Sequence, residues 1–422
     1  MKLLRGFRFL LKPTPAQRHF FACSAGCARL VWNTALALQK QRLSQRLPLF
    51  SYDELCKLLP LWKKEKPFLK EAPSQALQQR LKDLTKALDE ALDTKNAKQF
   101  PVFKKKGEDD SFRYPQHVTL SQERSKIELP KLGWVSYINS REVTGKLKNV
   151  TLSQEAGRWY ISIQTEQEID EPTHPSNSIV GGDLGVAHFL TLSGGTHFDA
   201  PDYKPLEEKI KREQRKLSKK CKGGKNYNKQ RIKLQRANKQ LRDKREDFQH
   251  KLSFHLSKNH AVIVLEELRV KSMTKSAKGT IENPGKNVRQ KAGLNRAILR
   301  QGWGEFRRQL KYKCEWRGGR CIEVPAEYTS QRCSACGFVS PENRKTQSQF
   351  ACISCGHSEH ADINAAKNIR ALGLLELQKP QEAKPAKKKK QYKKRTAGKA
   401  GIACCEPVVS SAQKRKRDTG RC

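Results

Sequence analysis

The sequence predicts a multidomain α/β protein carrying an all-β part and a helical part, and three observations predict it. Two short β-branched runs, 178–183 (SIVGGD) and 261–265 (AVIVL), are apolar without alternation, as strands covered on both faces of a central sheet are. Between 100 and 165 the pattern switches to short alternating runs broken by turn residues, which reads as a small antiparallel barrel or sheet. Cys333, Cys336, Cys352 and Cys355 form two C-x2-C pairs fifteen residues apart, the spacing that presents four thiolates to one Zn²⁺.

Composition bounds the partners. The 422 residues are 36% hydrophobic and 30% charged, enough for two or three cores. Lys and Arg number 85 against 42 Asp and Glu, a formal charge of +43. A charge that large works against compaction unless a polyanion answers it, so nucleic acid is the expected partner. No apolar run approaches the roughly 20 residues of a spanning helix, and no basic-then-apolar signal opens the chain, so no membrane and a cytoplasmic, nucleoid-associated site of action are expected. Four of the thirteen cysteines go to zinc; Cys23, Cys27, Cys56, Cys221, Cys314, Cys321, Cys404, Cys405 and Cys422 lack framework spacing and read as reduced thiols.

Residues 1–12 read as a strand with interleaved basic residues. Pro13-Thr14-Pro15 then supplies a stop, an N-cap and a first-turn proline for a helix to about Leu38. Phe20, Cys23, Cys27, Leu30, Val31 and Thr34 predict its buried face, with Arg18 and Arg29 outward. Residues 53–92 read as helix again, with Leu77, Leu81, Leu84 and Leu88 on one stripe and Gln78, Gln79, Arg80 and Lys82 on a polar face suited to nucleic acid or merely to solvent. Runs at 125–129, 133–138, 149–152 and 159–164 are strands, which the first strand can join, with 14–95 inserted between. Residues 166–178 read as a linker.

The acids come next. Asp183 ends the first apolar strand, Phe189 to Leu192 resumes the strand pattern, and Glu266 and Glu267 follow the second apolar run. Asp362 opens an alanine-rich helix behind the second cysteine pair, so three acids from distant points can converge at one sheet edge. Such a cluster repels itself unless cations neutralise it. Hard oxygen ligands select Mg²⁺ or Mn²⁺, and two such ions suit in-line attack of water on a phosphodiester. The alternative for each acid alone is an ordinary cap. Four cysteines leave no open zinc position, so that site is structural.

Residues 204–259 predict a basic helical hairpin broken at Gly223-Gly224. Leu234, Leu241, Phe248, Leu252 and Leu256 form its seam against Leu206, Ile210 and Leu217, and its outer faces suit a polyanion channel or plain solvation. Residues 273–291, rich in Gly, Lys, Ser and Asn, predict a mobile loop. After about Leu377 a Lys-rich tail with clusters at 387–390 and 414–417 cannot bury a core and reads as a disordered electrostatic tether or a localisation signal.

These residues resemble the TnpB (OrfB) proteins of insertion sequences, compact relatives of type V CRISPR effectors. The resemblance rests on Gly26, Arg29 and Asn33, GDLGV around Asp183, LEEL at Glu266 followed by VKSMTKSAKGT, YTSQRCSACG and DINAAKNI. It implies a RuvC-like nuclease of RNase H-type fold at 178–328 and 358–377, with a zinc ribbon inserted at 329–357. A β-barrel (wedge) domain at 1–13 and 96–177 with a helical recognition domain at 14–95 precedes it, and a tail at 378–422 follows. It also implies a guide RNA transcribed from the element, target double-stranded DNA, and Asp183, Glu266 and Asp362 as catalytic Mg²⁺ ligands, with no such role for Glu267. Gly182 stands where relatives have an aliphatic residue and Ala361 where many have arginine; neither removes a ligand. The implied function is RNA-guided cleavage of DNA beside a short flanking motif. The rivals are a catalytically weak RNA-guided repressor, against which the three intact acids speak, and a transposase or its DNA-binding accessory, for which no element-end reader is visible.

Overall fold

The computed structural model describes residues 1–93, 98–108 and 110–378. The chain divides into two compact units, one of residues 1–17 with 115–378 and the other of residues 18–114. The opening strand β1 (Lys2–Lys12) leads into α1 (Pro15–Ser44), which starts at the anticipated proline and continues six residues past Leu38.

Most of α1 belongs to the 18–114 unit. Its buried residues include Phe21, Ala25, Ala28, Val31, Trp32, Ala35 and Leu36, a face rotated by about one residue from the predicted one, so Phe20, Cys23, Leu30 and Thr34 are only half-buried. Small residues on that face let neighbours approach closely. They also make α1 the one described helix whose length and apolarity suit a membrane span, yet half of that apolar window is buried inside the protein, as in a core helix. Arg29 does not face outward: its guanidinium pairs with Asp110. The expected single helix over 53–92 is two, α2 (Tyr52–Glu65) and α3 (Ser74–Leu92): α2 runs through Pro60 but ends where Lys66, ahead of Pro67, leaves the helical region, and the extended Pro73 precedes α3. Ser51 and Glu54 form a capping box at the start of α2. On α3 the four leucines are buried as predicted, and Arg80 turns to Ser111 in the short strand β2 (Ser111–Tyr114).

In the other unit, β3 (Thr119–Ser121), β4 (Lys126–Leu129), β5 (Gly133–Tyr137), β6 (Lys146–Glu155) and β7 (Arg158–Glu168) join β1 in the order β6-β7-β1-β5-β4-β3. Strand β1 is central. It pairs with β7 from Lys2 to Leu10 but with β5 only at Leu11 and Lys12. Among the described residues of this unit the end strands of that order, β6 and β3, are not paired with each other, so the expected barrel is not closed by hydrogen bonds. The linker is shorter than predicted, since β7 runs to Glu168.

The second sheet combines β8 (Ile179–Asp183), β9 (Leu190–Leu192), β10 (His197–Phe198), β11 (Val262–Glu266) and β12 (Arg320–Val324) in the order β10-β9-β8-β11-β12. Strands β8, β11 and β12 are parallel; β9 and β10 run against them. Between β10 and β11 lie α4 (Lys204–Ser218) and α5 (Lys225–Asn259), broken at the predicted glycines. Along the seam Ile210 of α4 is buried as predicted, and at the far end Leu252 and Leu256 enter the core of the second sheet; Leu234 and Leu241 are half-buried. After the one-turn α6 (Val270–Met273), the loop spans 274–287. It is shorter than predicted because α7 (Val288–Gln301) takes up Lys291, whose ammonium bonds the Met273 carbonyl. Helix α8 (Trp303–Glu315) packs Trp303, Phe306 and Leu310 onto one face of the sheet. The ribbon hairpin β13 (Gln349–Ala351) and β14 (Ser358–His360) then leads directly into α9 (Ala361–Gln378). Cys23, Cys27, Cys56, Cys221, Cys314 and Cys321 are free thiols; Cys404, Cys405, Cys422 and the tail from 379 onward lie outside the described residues.

Candidate active site

Strand register places two of the acids. Val264 is paired with Gly181 and Leu265 with Gly182, so one step further Glu266 stands beside Asp183 on adjacent parallel strands. Alternation puts Gly181, Asp183, Val264 and Glu266 on one face of the sheet, while Val180, Ile263 and Leu265 enter the opposite core. On the acids' face Val264 and Val324 pack against Ile369 and Leu372 of α9.

Two glycines let that helix lie close. A Cβ on Gly181 would sit 2.1 Å from the Ala366 carbonyl oxygen and 2.6 Å from the Arg370 nitrogen, both backbone atoms. A Cβ on Gly373 would sit 2.3 Å from a Val264 methyl. Helix α9 therefore docks backbone to backbone on β8, with Asp362 in its first turn one turn before Ala366. Gly182, at the position where the resemblance implies an aliphatic residue, faces Leu190 and Leu265, whose methyls would lie 2.8 and 3.0 Å from an added Cβ. Those leucines fill the space its side chain leaves.

The three acids are electrostatically coupled. Burial pushes the Asp183 carboxyl up to about 7, Glu266 and Asp362 push the same way, and the Arg344 guanidinium opposes them. Burial also raises Glu266, which is 8% exposed, against the opposing pull of a Thr329 hydroxyl bond and Arg344. Thr329 Oγ1 donates to Glu266 Oε1, and Arg344 lies 3.8 Å from Asp362. Glu267 is exposed, its backbone nitrogen bonded to Val324, away from this cluster.

The four cysteines meet. Their sulfurs all lie within 4.8 Å of one another, with Cys333–Cys355 at 3.7 Å and Cys336–Cys352 at 3.6 Å. Four sulfurs at about 2.3 Å from a tetrahedral Zn²⁺ stand roughly 3.8 Å apart, so the donor set fits that ion. The knuckles match: Gly337 and Gly356 donate to the Cys333 and Cys352 carbonyls at 2.9 and 3.0 Å, and both take positive φ, 79° and 73°. Among the described residues this is the one such close group of three or more ligating side chains; the three acids are more widely spaced.

Thr329, Arg344, Asn364 and Asn368 were not read from the sequence. Asn364 accepts from the Ser334 nitrogen at 2.8 Å and donates to the Arg332 carbonyl at 2.8 Å, and Asn368 donates to Thr329 and Arg332 carbonyls at 2.9 and 2.7 Å. The ribbon is thus tied to α9, and it delivers Thr329 and Arg344 to the acids. A signal existed: two asparagines four apart in DINAAKNI share a helix face with Ala361 and Ala365, where a buried polar side chain needs partners.

The outer faces of α4 and α5 expose Lys211, Arg212, Lys229 and Lys233, and the connection between them exposes Lys219 and Lys222. Arg242 of α5 pairs with Glu155 of β6, and Arg236 Nε donates to the Ala156 carbonyl at 3.3 Å, fixing this basic hairpin to the first sheet.

Three family models match. "Probable transposase" of the OrfB type covers 162–277, a Cas12f1-like TNB domain covers 303–369, and a helix-turn-helix domain covers 1–47. Residues 1–47 form one strand and one long helix, so no helix-turn-helix is built there. InsQ of Escherichia coli (strain K12), a protein carrying the name of an RNA-guided DNA endonuclease, is 49% identical over 376 residues, 88% of this chain and 93% of InsQ. A Streptomyces pristinaespiralis protein named likewise is 30% identical over 378 residues, 88% of this chain and 89% of its own. A solved Cas12f1–sgRNA–target DNA complex overlaps 85% of this chain and 83% of its own at 15% identity, with a TM-score of 0.49.

Proposed function

We propose, from the premise that this chain belongs to the TnpB (OrfB) family of insertion-sequence proteins, that it is an RNA-guided DNA endonuclease of RuvC type. The observation that carries the chemistry is the coupling of Asp183 and Glu266, at the ends of two adjacent parallel strands, with Asp362 in the first turn of α9. The guided mode rests on the relatives, whose names state it.

Asp183, Glu266 and Asp362 would hold Mg²⁺, and a carboxyl pushed up to about 7 by burial first and by its acidic neighbours second is a site waiting for positive charge. When bound, Mg²⁺ supplies a Lewis acid and activates water for hydrolysis of a phosphodiester. Thr329 fixes the Glu266 carboxylate, and Arg344 gives the acids a compensating cation. Burial excludes bulk solvent and strengthens each of these interactions. Cys333, Cys336, Cys352 and Cys355 would hold a structural Zn²⁺ that keeps Thr329 and Arg344 in position. The Lys and Arg of α4 and α5 supply a path for the nucleic-acid backbone, and guide pairing supplies sequence selectivity.

The test is guide dependence. Protein freed of RNA should cut DNA little, and Mg²⁺ with the matching RNA should restore cutting at the guide-complementary site. Equal, sequence-indifferent cutting without RNA would leave a generic nuclease and end the guided reading.

A further inference from the structure

Three of the chain's ten histidines, from three separate elements, meet beside the acids. His188 lies in the turn after β8, His197 on β10, and His360 ends β14, two residues before Asp362. Their ring centroids are 4.6 Å apart for His188–His197, 5.4 Å for His197–His360 and 6.4 Å for His188–His360. The mechanism above uses none of them.

Each ring has its Nδ1 engaged by the protein. His360 Nδ1 accepts from the Asp362 backbone N–H at 3.3 Å, which leaves the proton of the neutral ring on Nε2. Thr191 is 2% exposed and its hydroxyl proton needs an acceptor; His197 Nδ1, 2.9 Å away, is that acceptor. The His197 proton is then on Nε2 as well. His188 donates Nδ1–H to Asp199 at 2.7 Å and packs its ring against His197 with the planes tilted by 37°, limiting how that ring can turn. The cluster therefore offers two N–H donors on oriented rings at the sheet end that carries the acids.

The spacing selects the ligand. Ligands around one Zn²⁺ at about 2.0 Å stand closer together than these groups do, and no three ligating atoms of the cluster lie within 4.8 Å of one another. A phosphate spreads its acceptor oxygens and takes more widely set donors, as in the hydrogen bonds that position nucleic-acid backbones without reading sequence. We infer that His197 and His360, with His188 as the positioning residue, bind one backbone phosphate of the DNA strand that enters the acid site. That the bound phosphate belongs to the strand being cut rests on the nuclease reading.

The experiment uses the full chain with isotope-labelled histidine and no added Mg²⁺, titrated with a short single-stranded DNA. The His197 and His360 ring resonances should move together and saturate, and a methylphosphonate copy of the same oligonucleotide, lacking the phosphate charges, should not move them. His197→Leu should abolish the shift at His360, and His197→Gln, which keeps an N–H donor, should retain it. Resonances that stay still while signals from α5 saturate would overturn the site. Inorganic phosphate moving them at lower concentration than DNA would overturn the strand assignment. With guide and Mg²⁺, His197→Leu should slow single-turnover cleavage about tenfold with target capture unchanged. A wild-type protein that moves these resonances with DNA yet never cuts would sink the nuclease reading and leave the phosphate site standing.

Discussion

The zinc ribbon and the acid edge gather functional groups in opposite ways. The four cysteines lie within 23 residues, and two repeated knuckles bring them together with little help from the rest of the fold. The three acids span 180 residues, and strand register plus two glycine contacts bring them together. A locally built site depends on its metal for folding energy, whereas a site at strand ends is placed by the sheet and keeps its shape when a ligand is deleted. The two are joined at Thr329 and Arg344, so damage to the ribbon reaches the acids while the reverse does not follow.

The largest expected effect contrasts the two. Asp183→Ala should lower cleavage by about a thousandfold or more while the melting temperature holds or rises, because it deletes a half-buried, self-repelling carboxyl without touching the docking of α9. Cys333→Ser should lower both, with zinc content falling below that of wild type and protease resistance lost over 329–357. Zinc content and thermal melts on the same preparations decide it; a Cys333→Ser protein that melts like wild type would dissolve the contrast.

Next in size is the docking of α9. Gly181→Ala puts a methyl against the Ala366 carbonyl, and overpacking of this kind costs about 3 kcal/mol. Gly194→Ala, whose Cβ meets nothing within 4 Å, should be neutral. Denaturant melts of the two variants test whether close backbone approach, and not glycine content as such, holds Asp362 near Asp183.

How much of this was legible follows from the same contrast. The ribbon could be read outright, because C-x2-C spacing and the following glycine are local constraints. The strand ends bearing Asp183 and Glu266 could be read as well, since unbroken β-branched runs have few other uses. What escaped was set by pairing. The rotation of the buried face of α1 depended on what packs against it, the open first sheet depended on only two β1–β5 pairs, and Arg29 turned inward because Asp110, 81 residues away, meets it. Thr329 and Arg344 carry no local mark; only docking of the ribbon on α9 gives them a role.

A smaller effect sharpens the electrostatic half of the comparison. Asp183 titrates near 7 in the folded, metal-free chain and near 3.8 when unfolded. Below about pH 4 both states hold the proton; as pH rises toward 7 the unfolded state loses it first, so this contribution to stability is progressively lost up to about pH 7. Asp183→Asn should therefore be more stable than wild type by a margin that grows between pH 5 and 8, up to about 4 kcal/mol. Added Mg²⁺ should close the gap and release protons below pH 7. A margin that shrinks with pH would mean that Asp183 is ionised and compensated before any metal arrives.

The smallest effect concerns charge alone. The sequence after Leu377 is dense in lysine and arginine, and the three acids and the four ribbon cysteines all precede it. Each phosphate neutralised by a protein cation contributes about 0.7 to 0.9 to the slope of log affinity against log salt. Removing residues 379–422 should flatten that slope by several such steps and weaken binding at low salt, while the guide-loaded cleavage rate at saturating DNA stays within about twofold. The cleavage arm matters because cations that merely gather nucleic acid act on its local concentration, not on the geometry around Asp183. An unchanged salt slope would show that the tail is solvated rather than bound, and that the hairpin faces of α4 and α5 carry the electrostatic attraction without it.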